Sequence, residues 1–112
     1  GLGRTEQAMK LTQCLLEEYR GPLLLDADAM YALSPSILVK RPREQKLVMS
    51  PHKGEFAHLF SVLFPDHEQE PSSEAERIEW AEQIAKKFGI WIVSKGLPTA
   101  ICTPEGFSYW TL

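Results

Sequence analysis

Leu47-Val48-Met49-Ser50-Pro51-His52-Lys53-Gly54-Glu55-Phe56 is the stretch from which the architecture can be read outward. Leu47-Val48-Met49 is an unbroken apolar run closed by Ser50-Pro51, as expected of a short strand buried on both faces. Helical character resumes at Gly54, where Phe56, Leu59, Phe60 and Leu63 recur at i, i+3, i+4 and i+7. A buried strand feeding an amphipathic helix is half of a βαβ unit, so the same alternation is expected on either side.

Upstream, Leu23-Leu24-Leu25 is a second apolar run, ending at Asp26. A helix precedes it, capped by Thr5 and running to about Tyr19. Ala8, Leu11, Leu15 and Tyr19 form its apolar stripe, and Glu6, Lys10, Gln13 and Glu17 face water. Gly21 and Pro22 stop that helix. Between the two strands, Asp28 is placed to cap a short helical turn through Tyr31 and Leu33, and Ser34-Pro35 to start another through Ile37 and Val39. The basic, Pro-broken residues 40–45 make a loop.

Downstream, the acidic segment from Asp66 to Pro71 is a loop. Ser73 with Glu76 three residues on is a capping box for a long helix to Phe88, burying Ala75, Ile78, Ala81, Ile84, Ala85 and Phe88. Gly89 ends it. A third strand, Ile90 to Val93, meets Ser94-Lys95-Gly96. Thr99 to Thr103 and Phe107 to Thr111 form a hairpin around Pro104-Glu105-Gly106. Strands alternating with helices predict an α/β fold: a three-layer α/β/α core with a mostly parallel sheet, right-handed crossovers and a C-terminal β-hairpin. The chain opens on Gly1-Leu2-Gly3-Arg4 with no strand before its first helix and closes on Tyr109-Trp110-Thr111-Leu112, in strand. We therefore expect residues 1–112 to be a single partial domain, incomplete at both ends.

Composition narrows the partners. The 112 residues carry a net charge of −3, with no long basic run. That leaves no electrostatic footprint for nucleic acid or an anionic membrane surface. The apolar runs are far shorter than the ~20 residues a spanning helix requires. Cys14 and Cys102 each lie in an apolar stretch and are expected to be buried free thiols of a cytoplasmic protein.

In an open parallel sheet, ligands bind outside the carboxyl ends of the strands. There stand Asp26 and Asp28 after the first strand, Ser50 and His52 after the second, and Ser94, Lys95 and Gly96 after the third. Gly1 and Gly3 precede the first helix, where bare amides suit an anion. Singly, each has a structural reading: the aspartates as caps, His52 as a loop residue, Glu55 as first-turn decoration, Lys95-Gly96 as a turn. No second ligand stands at metal spacing from His52, and no Walker-type phosphate loop is present.

Taken in order, these pieces resemble the NAD(P)H-hydrate dehydratases of the ribokinase-like superfamily. Gly1-Leu2-Gly3 matches the end of that family's Gly-Pro-Gly-Leu-Gly turn, and Asp26-Ala27-Asp28-Ala29-Met30 its Asp-Ala-Asp-Ala-Leu. Ser50-Pro51-His52-Lys53-Gly54-Glu55-Phe56 matches Thr-Pro-His-Pro-Gly-Glu-Phe, and Lys95-Gly96-Leu97-Pro98-Thr99 matches Lys-Gly-x-x-Thr. The likeness covers essentially the whole chain. It implies repair of hydrated NADH or NADPH with ATP or ADP and Mg2+: the substrate hydroxyl is phosphorylated and loss of phosphate restores the nicotinamide ring.

By the same resemblance Gly1, Gly3, Asp26, Asp28 and His52 would contact the hydrated dinucleotide. Lys95, Gly96, Leu97, Pro98 and Thr99 would line the adenine nucleotide, and Glu55 would stand near magnesium and phosphate. The family's catalytic aspartate, in a Gly-Thr-Gly-Asp segment, would lie beyond Leu112, so no catalytic base is expected in this chain. Ser50 for Thr, Lys53 for Pro and Met30 for Leu depart from the pattern, Lys53 adding a charge near the phosphates. The other readings are a ribokinase-like kinase of a small alcohol such as a vitamin precursor, and a non-catalytic nucleotide-binding or assembly module. Open sheet edges lead us to expect a homo-oligomer or a fragile monomer.

Overall fold

The computed structural model describes residues 6–25, 27–67, 69–106 and 108–111, with backbone alone for Ala27 and Asp28. Helix α1 (Glu6–Glu18) leads to strand β1 (Pro22–Leu25), a 3-10 helix (Ala27–Ala32) and the short α2 (Pro35–Lys40). Strand β2 (Lys46–Met49), helices α3 (Lys53–Leu63) and α4 (Glu74–Phe88), and strands β3 (Trp91–Ser94), β4 (Thr99–Cys102) and β5 (Ser108–Thr111) follow. The five strands form one sheet in the order β1-β2-β3-β4-β5. β1, β2 and β3 pair in parallel and the β4–β5 hairpin is antiparallel, so four strands share one direction and only β4 opposes them.

The local signals explain where the helices begin and end. Ser34 caps α2, its hydroxyl accepting from Ile37 N–H at 3.3 Å, with Pro35 at the first helical position. Ser73 caps α4 the same way, accepting from Glu76 N–H at 3.1 Å, but the expected reciprocal box is only half made, because the Glu76 carboxylate accepts from Ser72 N–H at 3.1 Å instead. Gly89 closes α4 with φ +67°, left-handed backbone that glycine enters without steric cost. The amino-terminal edge of the sheet is laced by two polar side chains, half-buried Arg41 and buried Gln45. Arg41 donates to the carbonyls of Phe88 (2.8 Å), Gly89 (3.3 Å) and Leu38 (3.1 Å), serving the ends of α4 and α2. Gln45 donates to the carbonyls of Leu15 (3.3 Å), Leu16 (3.1 Å) and Tyr19 (2.6 Å), serving α1. Burial holds the Arg41 guanidinium below its ordinary pKa.

One apolar cluster joins the helices to the sheet. Leu25, Met49, Ile92 and Cys102 stand side by side in register, buried beneath Phe56, Leu59 and Phe60 of α3 and Ile78, Ala81 and Ile84 of α4. Trp80 packs between Phe60 and Phe64, ring centroids 4.9 and 5.0 Å away. The opposite sheet face departs from the expected two-sided burial. Leu24, Val48 and Trp91 are in register there, as are Val93, Ile101 and Tyr109, and none belongs to the core cluster. Leu24 is 65% and Tyr109 61% exposed. The cause is topological: successive crossovers of the usual hand between sequentially adjacent strands put their helices on one face. The described residues thus form two layers, helices on one face of the sheet, where the sequence led us to expect three, and Leu24 of the apolar triplet is left exposed.

Two further expectations are corrected. The stripe Ala8, Leu11, Leu15 and Tyr19 is not the buried face of α1, because Leu11, Leu15 and Tyr19 are exposed and Leu16 is the residue fully buried. The inward face runs through Met9, Thr12, Gln13 and Leu16, and Gln13, expected in water, donates to Ala32 O at 3.3 Å. Cys14, expected buried, is exposed on the far side of that helix, while Cys102 is buried as expected. Thr5, expected to cap α1, lies outside the described residues. Among the described residues no helix is long and apolar enough to cross a membrane.

Candidate functional site

The carboxyl ends of β1, β2 and β3 are stitched together by backbone hydrogen bonds just beyond the ladders. Ser50 N–H donates to Leu25 O at 3.3 Å and Lys95 N–H donates to Pro51 O at 2.9 Å. Three loops that are distant in sequence are thereby held on one edge, as the strand order requires. Of the residues singled out from sequence, His52, Glu55 and the segment Lys95 to Thr99 lie here. Gly1, Gly3 and Asp26 lie outside the described residues. Asp28 falls within the 3-10 helix rather than ahead of it, and its side chain is not described.

His52 and Glu55 act on each other. The His52 ring Nδ1 accepts from the amides of Gly54 (3.1 Å) and Glu55 (3.3 Å), and Glu55 Oε1 accepts from His52 N–H at 3.0 Å. This reciprocal capping box opens α3. With Nδ1 accepting, the ring proton sits on Nε2, which faces Glu55 Oε2 at 3.5 Å. The imidazole itself remains largely exposed, so its outer edge is available to a ligand. Glu55 stands in the first turn of the helix as its structural reading has it, whereas His52 is the helix cap rather than a plain loop residue, and these roles leave room for a ligand contact.

Lys95 to Thr99 form a tight loop between β3 and β4. Thr99 Oγ1 donates to Gly96 O at 3.1 Å and lies 3.4 Å from Gly96 N, closing the loop on itself. Lys95 and Leu97 point to solvent, and the Leu97–Pro98 peptide bond is cis. Beneath the loop lies Arg77 of α4, 4% exposed. Arg77 is missing from the sequence reading, which placed Ala75 on the buried side of α4, where Ala75 is in fact exposed. The signal was available. Arg77, Ala81, Ile84 and Phe88 follow helical spacing, so a charged residue sits on an otherwise apolar face.

A cleft of about 360 Å3 opens between the N-termini of α3 and α4, lined among others by Lys53, Gly54, Ser72, Glu74 and Arg77. Two helix N-termini and Lys53 bring positive charge to it, set against the carboxylates of Glu70 and Glu74. Among the described residues no three His, Cys, Asp or Glu side chains gather as a metal site.

The sequence profile of the NAD(P)H-hydrate dehydratases matches residues 1–111. The chain belongs to the NAD(P)H-hydrate dehydratase family. It is 37% identical over 106 residues to a bifunctional NAD(P)H-hydrate repair enzyme of Gloeobacter violaceus, covering 95% of this chain and 19% of that protein. It is 30% identical over 101 residues to the Escherichia coli enzyme of that name, covering 90% of this chain and 18% of the other. In structure it matches the ADP/ATP-dependent NAD(P)H-hydrate dehydratase of Bacillus subtilis, co-crystallized with ATP/Mg2+, with a TM-score of 0.69 and 27% identity. That match covers 96% of this chain and 34% of the other. The ribokinase-like α/β fold expected from the sequence is thus shown. The chain spans about a fifth of the length of the curated repair enzymes it matches and about a third of the solved dehydratase.

Proposed function

We propose that this chain is a single partial dehydratase domain that brings the two ligand-facing loops of an NAD(P)H-hydrate dehydratase together. The observation that carries the reading is the 2.9 Å hydrogen bond from Lys95 N–H to Pro51 O, which sets the His52 turn beside the Lys95–Thr99 loop. In this reading Gly1, Gly3, Asp26, Asp28 and His52 meet the hydrated dinucleotide. Lys95, Gly96, Leu97, Pro98 and Thr99 line ATP or ADP. The substrate hydroxyl oxygen attacks the terminal phosphorus, the nucleotide leaves one phosphate shorter, and elimination of phosphate with a ring proton restores the nicotinamide. The base for the hydroxyl is an aspartate supplied from beyond Leu112.

Magnesium fits as a passenger on the nucleotide. Glu55 offers one carboxylate, one oxygen of which already accepts from the His52 amide. Mg2+ commonly takes one or two carboxylates and completes its shell with water and substrate phosphates. When bound it neutralises charge on the transferring phosphoryl group. The setting is cytoplasmic, supported by two free thiols, one of them exposed, and no nucleic acid is a partner of this acidic chain. Self-association is part of the proposal, supported by the apolar sheet face around Leu24 and Tyr109. Light scattering showing a stable monodisperse monomer would remove that part.

The test combines binding and turnover. In amide NMR spectra of this chain, ADP should shift Lys95, Gly96 and Thr99, and hydrated NADH should shift His52. The complete protein of its gene should return NADH from hydrated NADH in the presence of ATP or ADP and Mg2+, followed by absorbance. If it does not, and instead consumes ATP with hydroxymethylpyrimidine, the small-alcohol kinase reading replaces this one. If nucleotide binds and nothing turns over, the binding-module reading does.

A further inference from the structure

Arg77 is bound on every side. Its Nη1 donates to Ser94 O at 3.0 Å and to Ser94 Oγ; its Nη2 donates to Pro98 O at 2.7 Å and to Glu74 Oε2 at 2.5 Å; its Nε donates to Glu74 Oε2 at 2.9 Å. A guanidinium has five N–H groups, and here five bonds account for all of them. Arg77 therefore has nothing left to offer a ligand. What it holds is the loop after β3, gripped at its start through Ser94 and near its end through Pro98. Glu74 balances the charge from one turn away on the same helix.

The loop is also shaped to lie on this group. A Cβ at Gly96 would stand 2.7 Å from Arg77 Nη2, 3.0 Å from its Cζ and 3.1 Å from Glu74 Oε2. A side chain at position 96 would have to displace a guanidinium pinned by its five bonds. Glycine lets the backbone pass over the guanidinium at contact distance, and Thr99 then ties the far side of the turn back to Gly96.

From this we infer that Arg77 is the positioning residue of the Lys95–Thr99 loop, fixing the shape in which that loop meets the adenine nucleotide. The inference rests on the nucleotide reading given above. Lysine cannot replace arginine here, because a single ammonium with three donors cannot span Ser94, Pro98 and Glu74 in one plane.

Two measurements separate this inference from the reading beneath it. The first uses no nucleotide. Amide exchange in Arg77→Lys should accelerate roughly tenfold or more at Lys95 and Gly96, whose N–H groups are bonded within and beside the loop, with Leu47 and Met49 of β2 unchanged. Uniform acceleration across the sheet, or none in the loop, would overturn the inference whatever the loop binds.

The second measurement uses the complete protein. Misplacing a binding loop by about 1 Å can cost up to about 100-fold. Arg77→Lys should raise KM for ATP or ADP roughly 10- to 100-fold, with KM for hydrated NADH within about twofold. Equal rises in both, or neither, would overturn it. If Arg77→Lys loosens the loop selectively while the wild-type protein shows no nucleotide affinity, the nucleotide reading fails and only the loop-holding role stands. Should Arg77→Lys fail to fold, Glu74→Gln carries the same readouts. That side chain is partly exposed, and its loss of charge should loosen the loop in the same selective pattern.

Discussion

Replacing Gln45 tests whether the amino-terminal edge of the sheet is held as described. Gln45 is 4% exposed, and its side-chain nitrogen lies within 3.3 Å of three carbonyl oxygens at the end of α1. Its Oε1 accepts from Arg41 at 3.3 Å. Two amide protons serve three acceptors, so Gln45→Ala removes about two net hydrogen bonds at about 1 kcal/mol each. It also leaves the buried Leu16 carbonyl unpaired, a further ~1 kcal/mol or more. The expected loss is about 2–4 kcal/mol, against about 5–15 kcal/mol for a whole domain. In urea unfolding followed by circular dichroism, the midpoint should fall by roughly 1–3 M. Gln45→Glu should do worse, since it turns a buried carboxylate toward carbonyl oxygens. Glu44→Gln next door is the control: its ion pair with Arg20 is 3.3 Å long but exposed, and should be worth under about 0.5 kcal/mol. If Gln45→Ala were as benign as Glu44→Gln, or Gln45→Glu milder than Gln45→Ala, the capping role would be wrong.

Gly96→Ala should destabilise the chain by about 1–3 kcal/mol through overpacking against Arg77, and amide exchange should locate the damage at Lys95 and Gly96. Gly89→Ala should cost about 1 kcal/mol in urea unfolding for backbone reasons alone, since φ is +67° and no atom lies within 4 Å of the added Cβ. With maleimide at neutral pH, Cys14 should label rapidly in the native protein. Cys102 should label only in denaturant, because burial both shields its thiol and pushes its pKa up, keeping it protonated. His52→Ala should lose about 1 kcal/mol of α3 capping, whereas His52→Asn keeps a capping acceptor and should stay within about 0.5 kcal/mol of wild type. If His52 also touches the dinucleotide, both variants lose affinity for hydrated NADH; unchanged affinity in His52→Asn would reduce His52 to a cap.

Element order was legible because each segment carried its own punctuation. Ser34-Pro35, Ser73 with Glu76, Gly89 and Pro104-Glu105-Gly106 mark boundaries that the structure reproduces to within a residue or two. Burial was less legible, for two physical reasons. Leu23-Leu24-Leu25 is apolar whether one or both of its faces are covered, and coverage depends on which way the crossovers run, a property of the whole chain. In α1 two candidate stripes overlap. Leu11, Leu15 and Tyr19 are the more apolar set, yet the helix turns toward the 3-10 segment and Gln45, so Leu16 with half-buried Met9 and Gln13 wins. Polar groups at a helix end settled a choice that periodicity left open.

The site was legible as motifs and not as mechanics. His52, Glu55, Gly96 and Thr99 were picked out for what they could do to a ligand, and the structure shows what each does to the chain: a cap, its reciprocal, a close approach and a loop tie. These roles do not compete. A loop that must present amides and a lysine to a phosphate needs its own backbone groups satisfied first, because unsatisfied ones would let it drift or turn inward. The residues that satisfy them are drawn from the same few positions, since nothing else is close enough. Arg77 shows the complementary case, a residue with no free donor and no place in the motif, on which the motif nevertheless rests. It escaped notice because loop motifs are read along the chain, whereas Arg77 reaches Ser94 and Pro98 from 17 and 21 residues away. The contrast between His52→Asn and His52→Ala, and between loop exchange and nucleotide KM in Arg77→Lys, separates scaffold from ligand contact where substitution by alanine alone confounds them.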